Sequence, residues 1–168
     1  HPTAHLAAWS GILQADAYGG YGPLYRGGRS PGPIAEALCW AHARRKFFEL
    51  ADIAQRARRR ARGKTDPVIS PMALEAVTRI DALFDIERQI NGLAADKRLA
   101  ARRDESAPLV ADLEAWMRAE RARLSRGNEV AKARDYMLKR WPAFSRFLTD
   151  GRVCLTNNAA ERALRGIA

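Results

Sequence analysis

Apolar positions follow two rhythms, short and extended near the start of the chain and helical through its middle. Leu6 and Trp9, with small residues between them, predict a short helix ending at Gly11. Ile12-Leu13-Gln14-Ala15-Asp16-Ala17-Tyr18 reads as a short strand, apolar at its start and closed by Gly19-Gly20. Pro23 to Pro33 has no periodicity and predicts a Gly/Pro/Arg loop. From Ile34 to His42 the run is too short for periodicity to separate a buried strand from a helix opening, and from Ala43 onward it is helical. Ser70-Pro71 spells a helix start, an N-cap followed by proline at the first helical position. Leu74, Val77, Ile80, Leu83, Phe84 and Ile90 then keep helical spacing up to Asn91-Gly92. Asp96 to Glu105 is polar and reads as a helix or a connector. Ser106-Ala107-Pro108 predicts a new helix with Leu109, Leu113, Trp116 and Leu124 on one face, ended by Gly127. Asn128 caps the next, which carries Val130, Ala133, Met137 and Trp141, and Pro142 begins a short one through Phe144, Phe147 and Leu148. Val153-Cys154-Leu155 is a brief extended piece before a last helix start at Thr156-Asn157-Asn158. These stripes form a core and suggest no cofactor.

The fold class that follows is mainly α, with short α/β pieces at both ends and a helical bundle between them. Residues 1–50 and 150–168 are the end pieces and 51–149 the helical middle. Two acids sit where chemistry would want them. Asp16 ends a strand, the edge at which open α/β sheets bind ligands, although Asp also commonly starts a turn. Glu161 falls on the first turn of a helix among arginines, as a metal site acting on phosphate would need. Asn158 and Glu161 also have the spacing of a capping box. The two acids make one site only if the chain ends fold back together around the middle.

Charge changes the picture. The formal net charge is +10 and the sequence pI about 10.4, which calls for a polyanionic partner, nucleic acid ahead of a membrane surface. Arg44, Arg45 and Lys46 cluster beside Trp40 and Phe47, residue types that hold a strand by phosphate contact and base stacking. The same residues also describe an amphipathic helix with a solvated basic face. The arginine run from Arg56 to Arg62 reads as a solvated helix end within reach of a nucleic-acid backbone. No apolar run approaches transmembrane length and no signal peptide is visible, so a cytosolic protein with no membrane partner is expected. Cys39 and Cys154 are then expected as free thiols. Cys39 and His42 have ligand spacing, but zinc needs two more ligands. His1-Pro2, without a methionine, suggests a piece of a longer chain.

Three blocks carry a resemblance. They are Gly11 to Tyr18 with Tyr21 shortly after, Cys39-Trp40-Ala41-His42-Ala43-Arg44-Arg45-Lys46-Phe47, and Asn157-Asn158-Ala159-Ala160-Glu161-Arg162-Ala163-Leu164-Arg165. Together, and in this order, they resemble the insertion-sequence-66 family of bacterial transposases. Ile80 to Arg88, Arg102 to Trp116 and Trp141 to Arg152 are similar to it as well, so nearly the whole chain is covered. The resemblance implies a ribonuclease-H-like core with an Asp–Asp–Glu triad, interrupted by a mostly helical insertion. It makes Asp16 the second acid and Glu161 the third, both catalytic and both metal ligands; no part of this chain matches the first.

The implied activity is DNA cleavage and strand transfer by metal-dependent phosphoryl transfer, with Mg²⁺ or Mn²⁺ as cofactor. Two ions about 4 Å apart would serve the complete site. The Cys39-to-His42 block looks like a Cys-x-x-His signature whose His approaches DNA, and Arg44, Arg45, Lys46, Arg162 and Arg165 are the expected phosphate contacts. Transposon-end and target DNA are the implied partners, met as a homo-oligomer. This piece alone is expected to be inactive. The competing expectation is a basic helical module that binds DNA or RNA without chemistry.

Overall fold

The two extended stretches at the start of the chain pair in parallel. In the computed structural model, which describes residues 2–51, 70–125 and 127–164, β1 (Gly11–Ala15) lies beside β2 (Ile34–Leu38). Their register runs from Gly11↔Ile34 to Ala15↔Leu38. The arginine run at 56–62 and Arg165 lie outside the described residues. A 3₁₀ helix, Gly19–Tyr25, starts the crossover where a loop is predicted from Pro23. β1 is shorter than predicted because Asp16 and Ala17 turn the chain away after Ala15. The first helix, α1 (Pro2–His5), comes earlier than the Leu6–Trp9 pattern suggests. The Arg29 guanidinium donates to the carbonyls of Leu6 at 2.8 Å, Ala7 at 3.3 Å and Trp9 at 3.2 Å. Those bonds tie down the turn that follows α1.

The ambiguous run divides at Cys39. Ile34–Leu38 is strand, and α2 (Trp40–Leu50) starts directly after it. α3 (Pro71–Gln89) begins as predicted, with Ser70 Oγ accepting from the Ala73 N–H at 3.3 Å. It ends where Gly92 takes the left-handed conformation, φ +84°. Its buried face is Ala73, Ala76, Val77, Ile80, Leu83 and Ile86, so Leu74 is left exposed.

The predicted helix start at Ser106 is corrected: the polar stretch before it is already helical. α4 (Ala95–Ala101) continues through a π-helical turn, Arg102–Ser106, into α5 (Ala107–Arg121). Inside an α-helix, Pro108 would lack a donor and press on the carbonyl four residues back. The wider turn, in which the Ala107 N–H reaches the Arg102 carbonyl, accommodates it. The buried face of α5 is Val110, Leu113 and Met117, rotated from the predicted stripe, and Leu109 is exposed. α6 (Glu129–Leu138) is capped by Asn128, whose Oδ1 accepts from Val130 at 2.8 Å and Ala131 at 3.3 Å. α7 (Trp141–Phe144), a 3₁₀ turn (Ser145–Leu148) and α8 (Asn158–Leu164) complete a mainly helical fold.

Trp40 stands at the centre of the core. It is fully buried, and its ring meets Trp141, Phe144 and Phe147 edge-on with centroids 6.0, 5.4 and 6.0 Å away. Its indole N–H donates to the Phe144 carbonyl at 2.9 Å. Phe47 is also fully buried. The expectation that these two rings stack bases is therefore corrected: they are core residues, out of reach of any ligand. The same cluster joins α2, α3, α5, α6 and Leu155, so the end pieces and the helical middle share one core.

Two arginines are buried with them. Arg102 grips Glu87 with Nε at 2.6 Å and Nη2 at 2.8 Å, and its Nη1 donates to the carbonyls of Val153 at 2.8 Å and Phe147 at 3.2 Å. Arg134 lies 4.2 Å over the Trp116 ring, and its nitrogens have no hydrogen-bond partner among the described residues. Burial lowers the pKa of that guanidinium, with Glu120 opposing. Gly151 is required by contact, since a Cβ there would run into the backbone of Ala95.

Removing one side of a buried pair leaves the other uncompensated, so Arg102→Met is expected to cost about 3–5 kcal/mol in a urea titration. A loss under about 1 kcal/mol would show that the junction contributes little. A second expectation concerns acid. Arg152, through its side chain and its backbone N–H, holds the Asp150 carboxyl down to about 2. A lowered carboxyl pKa stabilises the fold above the ordinary value of about 3.9, and the contribution disappears as pH falls through about 2. A carboxyl-carbon NMR titration of Asp150 should therefore show its midpoint near 2, and a midpoint near 4 would contradict the contact.

Candidate active site

The carboxyl ends of β1 and β2 form the floor of the site. Asp16 is the first residue beyond β1 and is exposed. Its Oδ1 accepts the Tyr18 N–H at 3.2 Å, so the turn reading of Asp16 holds for that oxygen. Ala17 has φ +67°, a left-handed conformation that costs a residue with a Cβ about 1–2 kcal/mol. Strain of this kind beside a candidate catalytic acid is consistent with a constrained site. Tyr25, which the sequence did not single out, lies close enough to feel the Asp16 charge. Burial chiefly, with Glu36 and more weakly Asp16 adding to it, pushes its hydroxyl up to about 12.

The chain returns to this edge after the helical middle. The Gln14 amide donates to the Cys154 carbonyl, and the Trp40 N–H donates to the Leu155 carbonyl at 3.0 Å. These bonds hold the predicted extended piece across the strand ends without making it a third strand. α8 then begins, with the Glu161 N–H donating to the Asn157 carbonyl at 3.1 Å. Asn157 therefore holds the cap position, and a capping box would need its glutamate at 160. Glu161 is one residue out of register for that job. Its carboxylate instead lies 3.6 Å from His42 Nε2, on the first turn of α2. The His42 Nδ1 is buried without a hydrogen-bond partner among the described residues.

The fold thus brings Glu161 and His42 together and sets Asp16 on the same sheet edge, where its contact is with Tyr18. Carboxylate oxygens are the right kind of donor for Mg²⁺ or Mn²⁺. Among the described residues no group of three His, Cys, Asp or Glu side chains is placed to hold a metal ion. Cys39 is buried and Cys154 exposed, both free thiols.

The basic residues divide by task. Arg44 forms a bidentate pair with Asp81, Nη2 to Oδ2 at 2.8 Å, and lies over Phe48. The hydrogen bond that it donates to Asp81 raises its pKa further. Lys46 is exposed and lies 4.8 Å over the Tyr136 ring. Arg45 and Arg162 are exposed. In a urea titration Arg44→Ala should cost about 0.5–1 kcal/mol, and Arg45→Ala should change stability by less than about 0.5 kcal/mol. Equal losses would mean that the Asp81 pair has no structural weight.

No helix among the described residues is long and apolar enough to cross a membrane. No solved structure matches the chain. It is similar to three uncharacterized proteins of Sinorhizobium fredii (strain NBRC 101917 / NGR234). It is 60% identical to y4hP over 169 residues, covering 100% of the chain and 30% of that protein. It is 34% identical to y4jD over 165 residues, with 97% and 30% covered. It is 35% identical to y4qI over 165 residues, with 96% and 28% covered. The chain therefore spans less than a third of the length of these relatives. The family model described as "Transposase IS66 family" matches residues 1–168, the full chain, and the protein belongs to that family.

Proposed function

We propose that the chain supplies two of the three carboxylates of a DNA-transposase active site, Asp16 and Glu161, on a ribonuclease-H-like core into which the helical middle is inserted. The observation that carries this reading is the return of Glu161 to His42, beside the strand end that bears Asp16. A capping role would not need that approach. The parallel strand pair, with an acid leaving its carboxyl edge, supports the core assignment.

In this reading the first acid of the triad comes from elsewhere in the intact protein, and the piece alone is inactive. Asp16 and Glu161 would hold Mg²⁺ or Mn²⁺, which when bound supplies Lewis-acid chemistry at phosphate. His42 restrains the Glu161 carboxylate and faces the DNA near the reacting phosphate. Arg45, Lys46 and Arg162, with Arg165, neutralise flanking phosphates, whereas Arg44 contributes chiefly by holding α2 to α3. Transposon ends and target DNA are the substrates, a homo-oligomer on DNA is the working form, and the cytoplasm is where they meet.

A second reading, a basic module that binds DNA or RNA without chemistry, is favoured by the Asp16 turn and the +10 charge. The two separate cleanly. In the intact protein Asp16→Asn or Glu161→Gln should reduce strand transfer by roughly 10³-fold or more, with DNA affinity within about twofold of the parent. Undiminished transfer in either variant would sink the catalytic reading.

A further inference from the structure

Two depressions in the surface border the candidate site, and they run into one another. The first, about 420 Å³, lies between α2 and α3 and is lined by Arg44, Arg45 and Arg88. The second, about 540 Å³, lies between α3, α4 and α8 and is lined by Arg88, Arg98 and Arg162. Phe84 and Arg88 line both, so the two form one trough across α3. Ala41, next to His42, lines the first part, and Arg162, next to Glu161, lines the second.

The trough is cationic. Five arginines face two carboxylates, Asp81 and Glu87, leaving an excess of three positive charges. Both carboxylates are already occupied, Asp81 by Arg44 and Glu87 by the buried Arg102. Arg45, Arg88 and Arg162 are exposed. Arg88 meets Asp85, but that pair is exposed on both sides, a contact weak enough to exchange for phosphate. Phe84, half-buried, gives the junction an aromatic surface on which an unpaired base can lie.

We infer that this trough is a path for a single nucleic-acid strand leading to or from the Glu161 edge. Arg45, Arg88 and Arg162 contact successive phosphates, and Phe84 lies under a base. Duplex DNA keeps its bases stacked inside and has none to lay on Phe84. A single strand brings phosphates and open base faces together. The helical middle, which carries Phe84, Arg88 and Arg98, thus takes part in substrate binding as well as in the core. The inference rests on the DNA reading above and assigns that site its strand path.

The test uses the intact protein in EDTA, so that binding is read without metal or chemistry. Fluorescence anisotropy measures affinity for a labelled single strand of about 16 nucleotides and for the duplex of the same sequence. Arg88→Glu and Arg162→Glu should each weaken single-strand binding about tenfold and reduce the salt slope by about 0.7 for each phosphate left without its arginine. Arg123→Glu, the same charge change outside the trough, should stay within about twofold. All three side chains are exposed, and unchanged melting temperatures would confirm intact folds. An equal loss with Arg123→Glu, or a loss confined to duplex binding, would overturn the strand path. Unchanged strand transfer in Asp16→Asn would overturn only the catalytic reading, so the two failures are distinguishable.

Discussion

The Arg102 guanidinium is the junction on which the geometry depends. It is completely buried, clamped by Glu87 of α3 and bonded to the carbonyls of Phe147 and Val153. α3, the π-helical turn and the 147–153 stretch therefore share one charged group. A buried ion pair is a poor source of net stability, because desolvation offsets most of the attraction. Its effect here is positional: the Val153 carbonyl accepts from Arg102 at 2.8 Å and from Arg98 at 3.5 Å, which fixes the returning segment against α4 and the π-helical turn. The π-helical turn that accommodates Pro108 carries Arg102, whose side chain is buried.

From this junction the site follows by short steps. Val153 is held by Arg102, Cys154 and Leu155 are tied to Gln14 and Trp40, and the chain enters α8 with its register set. Glu161 then meets His42 because α2 starts at the end of β2. Gly151 allows the turn before this segment to lie against the backbone of Ala95. The candidate edge is thus assembled by contacts several residues away from it.

The positive charge of the chain has two uses. Arg29, Arg44, Arg102, Arg121 and Arg140 make internal bonds to carbonyls or carboxylates. Arg45, Arg88, Arg123 and Arg162 reach solvent. Net charge points to a polyanionic partner, but it does not say which cations are free to meet one. Membership of the IS66 transposase family agrees with that partner class.

The residues by themselves determined the elements whose causes are local. Ser70 and Asn128 accept their helices' free N–H groups as predicted, and the Gly92 stop and the strand after Gly11 are written in adjacent side chains. The acids at Asp16 and Glu161 and the family blocks were also legible there. Tertiary structure decided what depends on distant atoms. Pro108 signals a helix start until the π-helical turn absorbs it, and Trp40 reads as a stacking platform until Trp141, Phe144 and Phe147 enclose it. Glu161 has the spacing of a capping box in the sequence, and only the folded chain puts Asn157 at the cap and the Glu161 carboxylate beside His42. Capping and turn chemistry act over three or four residues, whereas burial and charge pairing depend on which surfaces meet, and only the folded chain specifies that.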